Sequence, residues 1–182
     1  MMRRAGWAVA VMAAAVLGGC GSDDDPMKPP PGPSYPALTS PQHVLEALLL
    51  SYQSRDSTEY DSLYDHNYVG TSTDLNDNVI STFLFNDEIG HMRALARSTT
   101  ISSIVLDFGP LSSWTRLASD DPSHPEWAVV QIPSSRGDIY DGQTSYTFQP
   151  INPMTFAFTP TVAAPGDTTW KIIRWTEVGQ GI

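Results

Sequence analysis

Three segments in the first half of the chain place apolar side chains at the three- and four-residue spacing of an amphipathic helix. The first is predicted to begin at Ser40, a capping residue followed by a proline suited to the first turn, and to run to about Arg55. The second begins at Asp56, which has a glutamate at capping-box spacing, and the third is capped by Asn86. The predicted buried positions are Val44, Leu45, Leu48 and Tyr52, then Tyr60, Leu63 and Tyr64, then Ile89, Met92, Leu95 and Ala96.

After residue 99 the hydrophobic period changes to the two-residue alternation of β-strands. This alternation places Trp170 and Trp175 on opposite faces of the last strand. Residues 67–85 are polar and predict a loop with at most a short strand near Tyr68 and Val69. Helices followed by an antiparallel sheet predict an α+β domain with the helices on one sheet face. The predicted strands are 104–108, 127–132, 145–149, 154–159 and 170–178.

The N-terminal segment, residues 1–19, predicts a bacterial export signal. Two arginines are followed by an uncharged apolar run that is too short to span a bilayer, which needs roughly 20 residues. The run ends in Leu17-Gly18-Gly19-Cys20, which resembles the lipobox of bacterial lipoproteins. That resemblance implies a diacylated Cys20 as the lipid anchor of an extracytoplasmic envelope protein, and Gly21 in place of an aspartate favours the outer over the inner membrane. An ordinary signal peptide with a chance cysteine is the alternative.

Residues 20–39 are rich in proline and predict a flexible tether, so that residues 40–182 form the domain. The chain has 20 acidic and 10 basic residues, for a net charge of −10, which argues against a nucleic-acid partner. Its single cysteine excludes an internal disulfide.

No metal site or cofactor is predicted. The four histidines are dispersed, and the calcium-loop-like start at Asp74 has Val79 where such a loop needs glycine. The cluster of Asp120, Asp121, His124 and Glu126 is interpreted as a solvated turn. Two candidate acid/base residues, Asp107 and His91, are interpreted as surface residues by their spacing, so no catalytic residue is assigned.

The order of elements resembles the nuclear transport factor 2-like superfamily, which includes the SnoaL-like cyclases. The resemblance rests on residues 44–48 leading through Tyr52 and Arg55-Asp56 to Tyr60, on the third helix after Phe85, and on the closing run 170–175. It implies a curved sheet wrapped around the helices as a cone with a pocket at its open end. Five residues are candidates to line that pocket: Tyr52, Tyr60, Tyr64, Met92 and Phe156.

Three functions stay open. The leading hypothesis is a non-catalytic, membrane-anchored protein that binds a small apolar ligand or a protein partner. The alternative is a SnoaL-like isomerase, cyclase or hydrolase that uses an Asp or His with a Tyr inside the cone. The third is a structural module that forms a homodimer or docks through the sheet face.

Overall fold

The N-terminal part of the domain is helical, as the sequence predicts. In the computed structural model, which describes residues 32–142, 144–150, 153–164 and 166–178, helix α1 spans Pro41–Ser54, α2 spans Ser57–Ser62 and α3 spans Phe85–Arg97. The Ser40 hydroxyl accepts a hydrogen bond from the backbone of His43 at 3.2 Å. The Asp56 carboxylate accepts from the backbone of Thr58 and of Glu59, each at 3.0 Å. The predicted starts of α1 and α2 are therefore confirmed.

The limits of α2 and α3 differ from the prediction. Helix α2 ends at Ser62, so Tyr64 is the first residue of a strand and not part of a helical stripe. Helix α3 begins before Asn86, which does not cap it. The backbone of Leu84 instead donates to the Asp87 carboxylate at 3.0 Å, because a side chain in the first turn can reach back to the N-cap position.

Nine strands form two sheets in the described part of the chain. The six-stranded sheet has the order β2-β1-β9-β8-β5-β4, and the three-stranded sheet has the order β3-β6-β7. The fold is α+β, as predicted, with helices packed against a curved sheet. The strands are β1 (Tyr64–Thr73), β2 (Val79–Leu84), β3 (Ile101–Asp107), β4 (Thr115–Leu117), β5 (Ala128–Ile132), β6 (Arg136–Asp141), β7 (Thr144–Phe148), β8 (Met154–Ala164) and β9 (Asp167–Val178).

All five predicted strands are present, but the sheet is more extensive and is mixed. Strands β1 and β9 pair in parallel, and every other pair is antiparallel. Strands β1 and β2 occupy the segment predicted as a loop. The inward positions of β1 beyond Tyr68 are Gly70 and Ser72, and β2 is mostly exposed, so neither strand shows an apolar alternation.

Strand β9 contains a one-residue bulge that reverses the predicted placement of its tryptophans. Ala157 of β8 pairs with Arg174, and the next residue, Phe158, pairs with Ile172, which leaves Ile173 extra. A bulge changes which side chains face inward beyond it. As a result Trp170 and Trp175 both pack against the main core instead of lying on opposite faces.

The main core lies between the helices and the sheets. Val44, Leu45 and Leu48 of α1 are fully buried, as are Phe156 and Phe158 of β8. Met92 of α3 and Met154 of β8 complete the same cluster. The alternation of residues 154–159 and the apolar stripes of α1 and α3 therefore identify the side chains that form this core.

The segment before α1 contacts the domain. The Tyr35 hydroxyl lies 2.9 Å from the Ser54 hydroxyl, and the Trp170 backbone donates to the Leu38 carbonyl at 2.9 Å. Residues 35–39, at the end of the predicted tether, are thus in contact with the folded unit. Cys20, the export signal and the rest of the tether lie outside the described residues. None of the helices in the described ranges is both long and apolar enough to cross a membrane.

Candidate functional site

A cavity of about 790 Å³ lies between helix α3, the β1–β2 hairpin, the end of β9 and the three-stranded sheet. Its apolar lining comes from Leu95, Ile104, Leu106 and Ile139 and from the aromatic residues Tyr52, Tyr68, Phe83, Phe148 and Trp175. Its polar lining includes Thr71, Thr82, Asp87, Glu88, His91 and Glu177. A cavity of this size with a few polar groups is typical of a small-molecule site.

Four tyrosines from α1, α2 and β1 pack in a row beside this cavity. The ring centres are 5.1 Å apart for Tyr52 and Tyr60, 4.9 Å for Tyr60 and Tyr64, and 4.8 Å for Tyr64 and Tyr68. Burial raises the pKa of all four phenols, and the negative charge of Glu88 raises it further. All four therefore stay protonated at neutral pH and can act as hydrogen-bond donors.

The hydroxyl of Tyr60 is the junction of a hydrogen-bond network. It donates its one proton to the Glu88 carboxylate. It accepts from Tyr64 at 2.8 Å and lies 3.1 Å from the Tyr52 hydroxyl. Because the Tyr60 proton is already used, Tyr52 must be the donor in that second contact. The network therefore directs hydrogen bonds from two tyrosines through a third onto one carboxylate.

Glu88 and Glu177 are two partly buried carboxyl groups in the cavity wall. Burial raises the pKa of Glu88, while the Tyr60 hydrogen bond and nearby His91 act in the opposite direction. Burial also raises the pKa of Glu177, and repulsion from Glu88 adds to the effect. Carboxyl groups whose pKa is raised by burial in a cleft are candidates for a general acid or base.

Tyr68 reaches the cavity because the residue two positions further along β1 is glycine. A Cβ atom built on Gly70 would overlap the Tyr68 hydroxyl oxygen. The Tyr68 side chain therefore lies over the Gly70 backbone, and both residues line the cavity.

The pocket candidates from the sequence lie in and behind this site. Tyr52 lines the cavity, and Tyr60 and Tyr64 lie behind it in the hydrogen-bond network. Met92 lies on the buried face of α3, in the core. The centre of the Phe156 ring is 4.9 Å from that of Trp175, which lines the cavity.

Four residues line the cavity that the sequence did not single out as pocket residues: Glu88, Glu177, Tyr68 and Trp175. Glu88 could have been found, because Glu88, His91 and Leu95 form a second stripe on α3 beside the apolar one. His91 is exposed, as its spacing predicts, and it also lines the cavity. Asp107 is exposed, as predicted, and its carboxylate accepts from the Gly109 backbone at 2.8 Å.

A smaller groove of about 390 Å³ lies on the outer face of the six-stranded sheet, and its polar groups pair with one another. The His124 ring stacks on Trp127 with centres 4.3 Å apart, and the Arg174 guanidinium lies 4.8 Å from the same ring. Arg174 also forms a 2.7 Å ion pair with Asp121. These contacts attach the loop before β5 to the sheet, so Asp121 is fixed to the sheet and is not simply a solvated residue of a turn. Within the described ranges, no three His, Cys, Asp or Glu side chains are grouped as metal ligands would be.

The helices pack on a curved sheet, and a cavity lies between them and a second sheet. This architecture is the nuclear transport factor 2-like fold, and solved structures with that fold match the chain. One is a nuclear transport factor 2-like protein of unknown function in nutrient uptake from Rhodospirillum rubrum, with a TM-score of 0.53 and 12% identity over 78% of this chain and 98% of that one. Another is the beta subunit of benzoate 1,2-dioxygenase from Burkholderia mallei, with a TM-score of 0.54 and 12% identity over 76% of this chain and 87% of that one.

A conserved protein from Planctomyces limnophilus matches with a TM-score of 0.54 and 11% identity, over 78% of this chain and 94% of that one. At these identities the likeness shows the fold alone. No protein-family model matches the chain, and no curated protein matches it. The function therefore has to be argued from the site.

Proposed function

We propose that this domain binds a small, largely apolar molecule inside the cone. The observation that carries this proposal is the 790 Å³ cavity, which has aromatic and aliphatic walls and polar groups that converge from α3 and β9. Pockets of this kind enclose most of a ligand's surface and use their few polar groups to orient it.

The test is native mass spectrometry of protein purified from its host, with two matched variants. Ile139 pairs with Ile104 and lines the cavity, whereas Val162 lies outside the lining and is 64% exposed. Ile139→Trp should fill the cavity and remove the bound molecule, and Val162→Trp should retain it. Wild-type protein that carries no molecule, and that gains no thermal stability from any compound in an apolar library, would contradict the proposal.

We also propose that the domain is held at the cell envelope, in the outer membrane, by acyl chains on Cys20. The support is the lipobox resemblance, since several acyl chains anchor a protein stably where one does not. Cys20→Ser should move the protein from the membrane fraction to the soluble fraction, while the nearby Ser22→Ala should leave it in place. Retention of the Cys20→Ser protein in membranes would reject the anchor.

A second candidate function, acid/base catalysis, is favoured by the contact between Glu88 and Tyr60. A partly buried carboxylate supported by a tyrosine network could take a proton from a carbon next to a ketone. The Tyr68 hydroxyl, which also lines the cavity, could donate a hydrogen bond to the resulting enolate oxygen.

This candidate predicts that the protein exchanges the protons next to the carbonyl of a cyclic ketone such as tetralone for deuterium in D₂O. Glu88→Gln should abolish the exchange, and Glu126→Gln, on the outer face, should leave it unchanged. Mass spectrometry measures the incorporated deuterium. A wild-type rate equal to that of buffer alone would remove catalysis of this kind.

A further inference from the structure

The cavity has a strongly one-sided charge. Asp87, Glu88 and Glu177 line it, His91 lies beside them, and no lysine or arginine lines it among the described residues. The Tyr60 hydroxyl satisfies one oxygen of Glu88, and the Leu84 backbone donates to Asp87. Glu177 has no hydrogen-bond partner within the described part of the chain. The cavity wall therefore carries more negative charge than the surrounding protein neutralises.

The same wall is aromatic. Tyr52, Tyr68, Phe83, Phe148 and Trp175 all line the cavity and come from five different strands and helices. The faces of aromatic rings attract cations, and this attraction is strongest where water is excluded. A site with several aromatic faces and an excess of carboxylates matches a positively charged organic group better than a neutral or an anionic one.

A third observation is independent of the charges. Tyr68 is only 2% exposed and lines the cavity, yet no described residue makes a hydrogen bond to its hydroxyl. The ring is buried but the hydroxyl oxygen is open to the cavity, so its hydrogen-bond partner is water or a bound molecule. The hydroxyl lies over Gly70, in the cavity wall, and is thus available to a molecule inside the cavity.

We propose that the ligand of this cavity is an organic cation, an ammonium group attached to an apolar body, with Glu88 and Glu177 as its counter-charges. This inference rests on the proposed binding function and adds the charge class of the ligand. The ammonium group lies between the two carboxylates, and the apolar body packs on the aromatic and aliphatic walls. The Tyr68 hydroxyl accepts a hydrogen bond when the cation carries an N–H group.

The test uses three probes that share a naphthyl body and differ in charge: naphthylmethyl-trimethylammonium, naphthylmethanol and naphthylacetate. Their affinities are measured by fluorescence titration of the domain at pH about 8, well above the ordinary pKa of a carboxyl group. The quaternary cation does not titrate, so its charge is fixed. The cation should bind at least about tenfold more tightly than the alcohol, and the acetate should bind most weakly.

Glu88→Gln and Glu177→Gln should each weaken binding of the cation by about five- to tenfold and change binding of the alcohol by less than about twofold. Glu126→Gln removes the same charge from the outer face and should leave all three affinities within about twofold of wild type.

Two results would overturn the charge preference and leave the proposed binding function standing: an alcohol that binds as tightly as the cation, or a preference for the cation that both cavity variants retain. If none of the three probes binds, the charge preference is overturned, and the binding function is decided separately by the native mass spectrometry and the apolar library described above.

Discussion

At the scale of single residues, the Tyr60 hydroxyl connects the core to the cavity. It makes hydrogen bonds to two other tyrosines and to Glu88, and all three partners depend on it. Because the ring is fully buried, none of these bonds can be replaced by bulk water without a rearrangement.

Tyr60→Phe should therefore lower the free energy of unfolding by about 1–3 kcal/mol, because it leaves buried polar groups without a partner. It should also raise the pKa of Glu88 further, since the lost hydrogen bond lowers it in the wild-type protein. Denaturant unfolding and carboxyl NMR titration measure the two effects. Tyr140→Phe, at an exposed position, is the control and should change stability by less than about 0.5 kcal/mol. Equal effects of the two variants would show that the network does not contribute to stability.

Two glycines give a matched pair of alanine substitutions. Gly70→Ala should destabilise the protein by about 1–3 kcal/mol, because the new methyl group displaces the buried Tyr68 ring. Gly90→Ala, in α3 with open space around it, should stabilise by about 0.5–1 kcal/mol through helix propensity. Thermal unfolding of both variants measures the difference, and a stabilising Gly70→Ala would mean that Tyr68 is not held over the glycine.

At the scale of elements, local signals explain what the sequence could predict. The cap at Ser40 and the apolar stripe of α1 depend on residues within a few positions of each other, and both are found in the structure. Strands β1 and β2 were missed because their stability comes from pairing with distant partners, while their own side chains are small, polar or exposed. Glu177 was missed for a related reason, since only the pairing of β8 with β9 reveals the bulge that turns it inward.

The short helix α2 depends on its cap. Asp56→Ala should cost about 1 kcal/mol of stability, because the backbone groups of Thr58 and Glu59 lose their acceptor. Asp56→Asn keeps an acceptor oxygen and should stay within a few tenths of a kcal/mol of wild type. Denaturant unfolding separates the two results, and an alanine variant as stable as the asparagine variant would show that the cap is dispensable.

At the scale of the whole molecule, the raised pKa values of Glu88 and Glu177 link stability to pH. A carboxyl group whose pKa is higher in the folded state binds its proton more tightly there than in the unfolded chain. Its contribution is complete below the unfolded value, about 4.5, and is lost as the pH rises through the folded value. His91, Asp87 and the tyrosine network lie around Glu88 and Glu177. The pH dependence of stability therefore reflects all of these groups together.

The stability of Glu177→Gln relative to wild type should therefore increase between pH about 4 and pH about 8, by about 1.4 kcal/mol for each unit by which folding raises the Glu177 pKa. Glu126→Gln should show the opposite trend, because the backbone and His124 lower the pKa of exposed Glu126. Urea unfolding across this pH range measures both trends, and parallel curves for the two variants would contradict the burial of Glu177.

The outer face of the six-stranded sheet is partly covered by the chain itself. Trp127 packs on Val129, Ala157 and Ile173, and the ion pair between Arg174 and Asp121 holds the preceding loop in place. A homodimer that used this face would have to form around that loop or displace it.

The extra residue in β9 also bears on how this chain diverges from its structural neighbours. Loss of Ile173 would leave Phe158 opposite Ile172 and Ala157 opposite Arg174, so Trp175 and Glu177 would still face the cavity, now from a regular strand. A relative that lacks the bulge can therefore present the same cavity wall from a strand that is one residue shorter. An alignment that overlooks a one-residue gap there would equate side chains from opposite faces of the sheet.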